Sequence, residues 1–148
     1  MIEAVTLHTL HECLPGAEKF HNVYEPDYPF SGIQFFEFWV PLLANGNGIF
    51  LIYRDLDGAV AGGIAGIITP FQTSDALNAV EMFWWVDEKH RGRAGLKLLR
   101  EFEKEAARRG CDRISMAYME ASMPDTMKCL YEKLGYSAYE HHYIKKLK

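Results

Sequence analysis

Between residues 80 and 106 the hydrophobic pattern changes its period, and it does so across a short cationic loop. The run Val80-Glu81-Met82-Phe83-Trp84-Trp85-Val86 is an apolar strand. Asp87-Glu88-Lys89-His90-Arg91-Gly92-Arg93-Ala94-Gly95 follows it, and then Leu96, Leu99, Phe102 and Ala106 recur at helical spacing. Glu101, Lys104, Glu105 and Arg108 fall on the opposite, solvent side of that helix. Glu105 and Arg109 stand at the favourable i, i+4 separation, and Gly110 is a natural stop. Residues 113–119 read as another strand. A strand–helix–strand unit of this length requires parallel pairing with a right-handed crossover.

The rest of the chain fills out one α/β design. Residues 2–7 form a short first strand, and residues 10–24 are helical in part, with Pro15-Gly16 interrupting any long helix. A loop with two prolines and three aromatics spans 24–32. Ser31 then caps a helix whose apolar face runs through Phe35, Phe36, Phe38, Trp39, Leu42 and Leu43, ended by Asn45-Gly46-Asn47-Gly48. Residues 49–54, 60–68 and 78–86 are strands joined by short turns, among them the tight Asp55-Leu56-Asp57-Gly58, and imply an antiparallel meander. A helix from about Asp125 to Leu134 is stopped by Gly135, and residues 136–147 are expected to close the sheet as a strand or hairpin. The predicted class is a mixed, mostly antiparallel sheet flanked by helices, as one domain over residues 1–148.

Composition narrows the function. A net charge of -4 offers no general attraction to nucleic acid or anionic lipid, so anion binding must come from the local cluster at 89–93. A nucleic-acid module would need a wider basic face, and no apolar run approaches the ~20 residues that span a bilayer. Cys13, Cys111 and Cys129 form neither a CxxC pair nor a disulfide framework, and no His set has zinc-site spacing. No metal, no nucleic acid and no membrane are therefore expected, in a soluble cytoplasmic protein.

The cationic loop opens a helix, and helix N-termini present unpaired N–H groups with partial positive charge. Phosphates fit such a place, and Arg91 and Arg93 suit a diphosphate better than a lone carboxylate. A P-loop requires GxxxxGK followed by a hydroxyl, and a dinucleotide fingerprint requires a third glycine; neither is present. The region from about residue 78 to 136 instead resembles the GNAT superfamily of N-acyltransferases, whose acetyl-CoA turn reads Q/R-x-x-G-x-G/A. Lys89-His90-Arg91-Gly92-Arg93-Ala94 fits it with lysine leading, and Arg91-Gly92-Arg93-Ala94-Gly95-Leu96 fits it in a second register. The two registers assign individual amides to phosphates differently, and both use the backbone of residues 91–96. The loop and helix string is also similar to that of small phage and prophage members.

The resemblance implies further roles. In this family the fourth strand is bulged and parts from the fifth, and pantetheine pairs with the exposed backbone; here that backbone belongs to Trp84, Trp85 and Val86. Leu130-Tyr131-Glu132-Lys133-Leu134-Gly135-Tyr136 matches the motif around the family's catalytic tyrosine. A phenol of pKa about 10 is protonated at neutral pH and can donate to a departing thiolate, so Tyr131 is the candidate acid. Glu81 is the first candidate for the base that frees the amine, with Glu120 or ordered water as alternatives, while His90 reads as part of the loop. Many relatives place an asparagine at the start of the tyrosine helix, where this chain has Met123-Pro124-Asp125-Thr126. Asp125 or Thr126 then substitutes, or one pantetheine contact is missing.

The implied protein is an N-acetyltransferase using acetyl-CoA as cosubstrate and a small-molecule or peptide amine as acceptor, by direct transfer. Tyr24, Glu25, Asp27, Tyr28 and Phe30 would suit a cationic amine. A homodimer is compatible with the chain. The competing readings are a non-catalytic acyl-CoA-binding or regulatory module of the same fold, and a scaffold protein.

Overall fold

Strand-forming residues in the middle of the chain build the frame. The computed structural model describes residues Met1–Lys148, which divide into two compact units, Met1–Ala117 and Tyr118–Lys148. In the first unit β1 (Ile2–Ala4), β2 (Gly48–Arg54), β3 (Val60–Phe71), β4 (Ser74–Val86) and β5 (Arg113–Ser115) form one five-stranded sheet in chain order. Pairing is antiparallel from β1 to β4 and parallel between β4 and β5. The turn before β3 closes as expected: Asp55 Oδ1 accepts the N–H groups of Asp57 and Ala59, both at 3.0 Å, and Gly58 takes φ +83°.

Helices cover both faces of this sheet. After a 3-10 turn at Leu10–Cys13, α1 (Leu14–Tyr24) and α2 (Gly32–Asn45) bury an aromatic layer with Trp39, Phe50 and Phe83 at its centre. The Trp39–Phe50 and Phe50–Phe83 ring centroids lie 4.9 and 5.2 Å apart. Ser31 caps α2 through Gln34 N–H at 3.1 Å, and Gly46 ends it at φ +80°. Pro15 sits in the first turn of α1 and starts the helix rather than breaking it, because its missing N–H would be unbonded there anyway. On the opposite face α3 (Arg93–Arg108) buries Leu98, Leu99, Phe102 and Ala106 completely. Full burial of each large apolar side chain is worth about 1.5–3 kcal/mol. Leu96, expected in that stripe, is half-buried, and Leu98 takes its place.

Glycine at position 66 lets α3 approach. A Cβ there would lie 2.6 Å from both Phe102 Cζ and Val80 O. The far end of α3 is braced by Arg109, whose Nε bonds Glu105 at 2.7 Å and whose Nη1 donates to Gly46 O and Gly48 O at 2.9 and 2.8 Å. That arrangement extends the anticipated Glu105–Arg109 pair into a clamp on the start of β2.

One strand is shorter than expected. The strand expected over 113–119 ends at Ser115, because the Ala117 N–H donates to the Glu81 side chain instead of to a neighbouring strand. Over 136–147, where a strand or hairpin was expected, the second unit has no assigned strand. Beyond α4 (Pro124–Lys133) and Gly135 (φ +90°) the chain has no regular structure, and Tyr139, Tyr143, Ile144 and Leu147 are exposed.

Candidate active site

The parting of β4 from β5 defines the site in the first unit. The two strands pair only at Asn78–Arg113, Ala79–Ile114 and Val80–Ser115. Reciprocal bonds between the Asn78 amide and Ser115 Oγ, at 3.0 and 3.2 Å, secure this short zipper. From Glu81 to Val86 the β5-side edge of β4 has no strand partner. A bulge at Met82 resets the phase, so that Phe83 opposes Ala65 but Glu81 opposes Gly66.

Backbone direction along this open edge follows from one hydrogen bond. The Asp87 N–H donates to Ala61 O at 2.9 Å, so residues 85 and 87 turn their main-chain groups toward β3. Those of Trp84 and Val86 consequently face the open side. Trp85, expected among the exposed backbone, is paired toward β3 instead, and its ring packs on Gly16 of α1. The Trp84 ring lies on the other face against Gly95, and its buried Nε1 has no hydrogen-bond partner.

Next to this edge α3 begins without a cap. Gly92 is its N-cap residue (φ +89°, ψ -97°), and no side chain accepts from the first turn. The amides of Gly92, Arg93, Ala94 and Gly95 bond to nothing in the protein, as the start of a helix predicts. Leu96 does not belong with them, since its N–H is taken by Gly92 O at 3.1 Å. The Arg91 N–H is likewise used, by Glu88 O at 3.3 Å, leaving its guanidinium as its contribution; Nε reaches Val86 O at 3.4 Å. Arg93 is exposed.

Glu81 stands where the strands part. Burial pushes its carboxyl up to about 7, partly opposed by the hydrogen bond it accepts from Ala117 N–H at 3.2 Å. Phe20 of α1 packs on Phe83, two residues along β4, and on Tyr24, with centroids 5.7 and 4.6 Å apart. The 25–31 loop leaves from that point. His21 of α1 reaches it, its Nε2 bonding Tyr28 O at 2.7 Å, and the Tyr28 ring is half exposed.

In the sequence Asp55 reads only as a turn residue. Its Oδ2 lies 3.8 Å from both Lys89 Nζ and His90 Nε2, at the entrance to the cationic loop. Burial works against its charge, but the Ala59 and Asp57 amides with Lys89 and His90 outweigh it and hold the pKa below the ordinary value. No local pattern signals a contact between segments so far apart in sequence.

In the second unit Tyr131 is buried, at 7% exposure, near the end of α4. Its ring packs on Tyr136 with centroids 5.5 Å apart, and its carbonyl accepts the N–H groups of Leu134 and Tyr136. The helix starts after Met123 in the left-handed region (φ 43°), with Asp125 and Thr126 in its first turn and no side-chain cap. Glu120 lies in the turn before it, exposed. Cys13 is buried and its thiol pushed up to about 12 by desolvation, in keeping with a packing role. No group of three or more His, Cys, Asp or Glu is placed to hold a metal ion, and no helix is long and apolar enough to cross a membrane.

The sequence model of the Acetyltransferase (GNAT) family matches residues 8–136. The chain belongs to that family. The GNAT fold of this protein is shared with solved structures at low identity. An acetyltransferase of Trypanosoma brucei is 19% identical, with 99% of each chain covered and a TM-score of 0.72. An aminoglycoside acetyltransferase from an uncultured soil metagenomic sample, in complex with sisomicin, is 17% identical over 100% of this chain and 96% of that one, with a TM-score of 0.78. A predicted acetyltransferase of Clostridium acetobutylicum, solved with acetyl-CoA, is 15% identical over 99% of this chain and 96% of that one, with a TM-score of 0.77. Among curated protein sequences, none matches this GNAT chain significantly.

Proposed function

We propose that this GNAT acetyltransferase is an N-acetyltransferase that takes the acetyl group from acetyl-CoA and passes it directly to a primary amine. One observation carries the reading: four unbonded amides at Gly92, Arg93, Ala94 and Gly95 stand beside the open edge of β4. Amides at a helix start suit a diphosphate, and Arg91 and Arg93 add full charge. An open strand edge suits an extended chain carrying its own amides, and Trp84 offers an N–H and a C=O there. Pantetheine has that chemistry.

Acetyl-CoA supplies the acyl carbon as an activated thioester. Glu81, with its carboxyl raised to about 7, is near half-ionised at neutral pH and accepts a proton from the acceptor ammonium. The freed amine nitrogen forms the new C–N bond as the C–S bond breaks, the Tyr131 phenol gives its proton to the leaving sulfur, and the proton the nitrogen sheds on becoming an amide returns to the Tyr131 phenolate. No acyl-enzyme is required, because no cysteine falls in either motif. An amine acceptor also agrees with the aminoglycoside-modifying relative.

The test is thiol release from acetyl-CoA with a panel of amines, paired with calorimetry of CoA. Turnover with any amine supports the reading. Binding without turnover would mark a non-catalytic acyl-CoA module, and no binding would leave the fold as scaffold.

A further inference from the structure

We propose that Asp55 is a positioning residue for the anion-binding turn: from the β2–β3 hairpin it holds Lys89 and His90, and through them sets the backbone of residues 91–95. This inference rests on the functional reading above for its effect on acetyl-CoA.

Three observations converge on Asp55. Its Oδ1 is locked by the Asp57 and Ala59 amides, so Oδ2 is aimed in a fixed direction. Both Lys89 Nζ and His90 Nε2 lie 3.8 Å from that oxygen; Lys89 is solvated, but the Asp55 side chain is only 9% exposed and His90 is partly buried beside it, which sets the Asp55–His90 contact apart from ordinary surface pairs. His90 Nε2 is buried and has no hydrogen-bond partner, although its ring is seated against Tyr53 with centroids 5.8 Å apart. A buried polar atom without a partner is costly, and Asp55 Oδ2 is an acceptor that a small closure would bring into hydrogen-bond range. The rest of the lead-in is tied down by the Asp87 bonds to Ala61 and Lys19 and by two short turn bonds.

The sign of the charge separates positioning from binding. A carboxylate beside an anion site repels the anion. If Asp55 acted only through its field, removing the charge would tighten acetyl-CoA. If it holds the turn in shape, removing the charge weakens acetyl-CoA.

Asp55→Asn keeps a side-chain oxygen for both turn amides and deletes the charge. The expected result is a KM for acetyl-CoA raised about fivefold, with kcat within about twofold of the parent. His90→Ala is expected to move KM the same way, and the double variant to be no worse than the worse single one. An unchanged or lowered KM in Asp55→Asn overturns the proposal. Amide hydrogen exchange on the free protein gives an independent reading: residues 88–95 should exchange faster in Asp55→Asn, and unchanged exchange there also overturns it. Because that measurement involves no acetyl-CoA, it judges the Asp55 contact even if the acetyltransferase reading itself fails.

Discussion

The Glu81 carboxylate accepts a hydrogen bond from the Ala117 backbone N–H at 3.2 Å, bridging the gap that opens between β4 and β5 just beyond the Val80–Ser115 pair. The bond ties the desolvated carboxyl to the place where the sheet opens. Its charge state governs both stability and the proposed chemistry. Since burial raises the Glu81 carboxyl to about 7, against 4.5 for the unperturbed group, the folded protein binds the extra proton between those values. The resulting stability is present below pH 4.5 and is lost as pH rises through 7. Glu81→Gln, which still accepts from Ala117, should abolish this loss, and unfolding curves at pH 5 and 8 would register it as a change of about 2–3 kcal/mol. The same variant should lower kcat/KM by roughly 10²-fold and flatten a pH profile that otherwise climbs through neutrality.

Tyr131→Phe removes one hydroxyl while keeping the ring that packs on Tyr136. With a saturating amine, kcat should fall by about 10² or more. Undiminished turnover would remove Tyr131 from the proton-donor role.

Charge reversal at Arg91 or Arg93 should weaken CoA about tenfold or more and pantetheine, which lacks the diphosphate, by about twofold or less. Calorimetry with both ligands measures the contrast. Equal losses would show that the diphosphate does not lie at the α3 amides.

Gly66→Ala places a Cβ 2.6 Å from Phe102 Cζ and from the Val80 carbonyl, and the carbonyl belongs to a paired strand that cannot swing away. A loss of about 1–3 kcal/mol is expected. Urea unfolding should show it as a lower midpoint with the slope unchanged.

Glu105 behaves in the opposite sense to Glu81. Its hydrogen bond to Arg108, aided by Arg109, holds the carboxyl down at about 2 against burial. The contribution is present above pH 4.5 and fades as pH falls toward 2. Glu105→Gln should therefore narrow the stability difference between pH 6 and pH 2.5, as followed by acid unfolding, by about 1 kcal/mol, since Arg109 is partly buried with Glu105 while Arg108 is solvated.

The frame and the turn were legible in the chain itself because their causes are local. A period change between Val86 and Leu96 needs only neighbouring residues to be read, as do the Ser31 cap, the Asp55-Leu56-Asp57-Gly58 turn and the glycines that end α2, α3 and α4. The uncapped start of α3 follows in the same way, since no Ser, Thr, Asp or Asn stands at Gly92 to occupy its amides. Other features depended on contacts between distant segments. Nothing near Glu81 foretells a carboxyl raised to about 7, because its desolvation comes from what is packed around it after folding. Strand pairing decided that Trp84 and Val86, but not Trp85, face the open edge, and that Ala117 bonds a side chain rather than extending β5. Asp55 reaching Lys89 and His90, and Arg109 clamping Gly46 and Gly48, are likewise matters of tertiary proximity. Propensity and periodicity act over a few residues, whereas burial, charge state and hydrogen-bond choice are settled only when the sheet brings remote residues together.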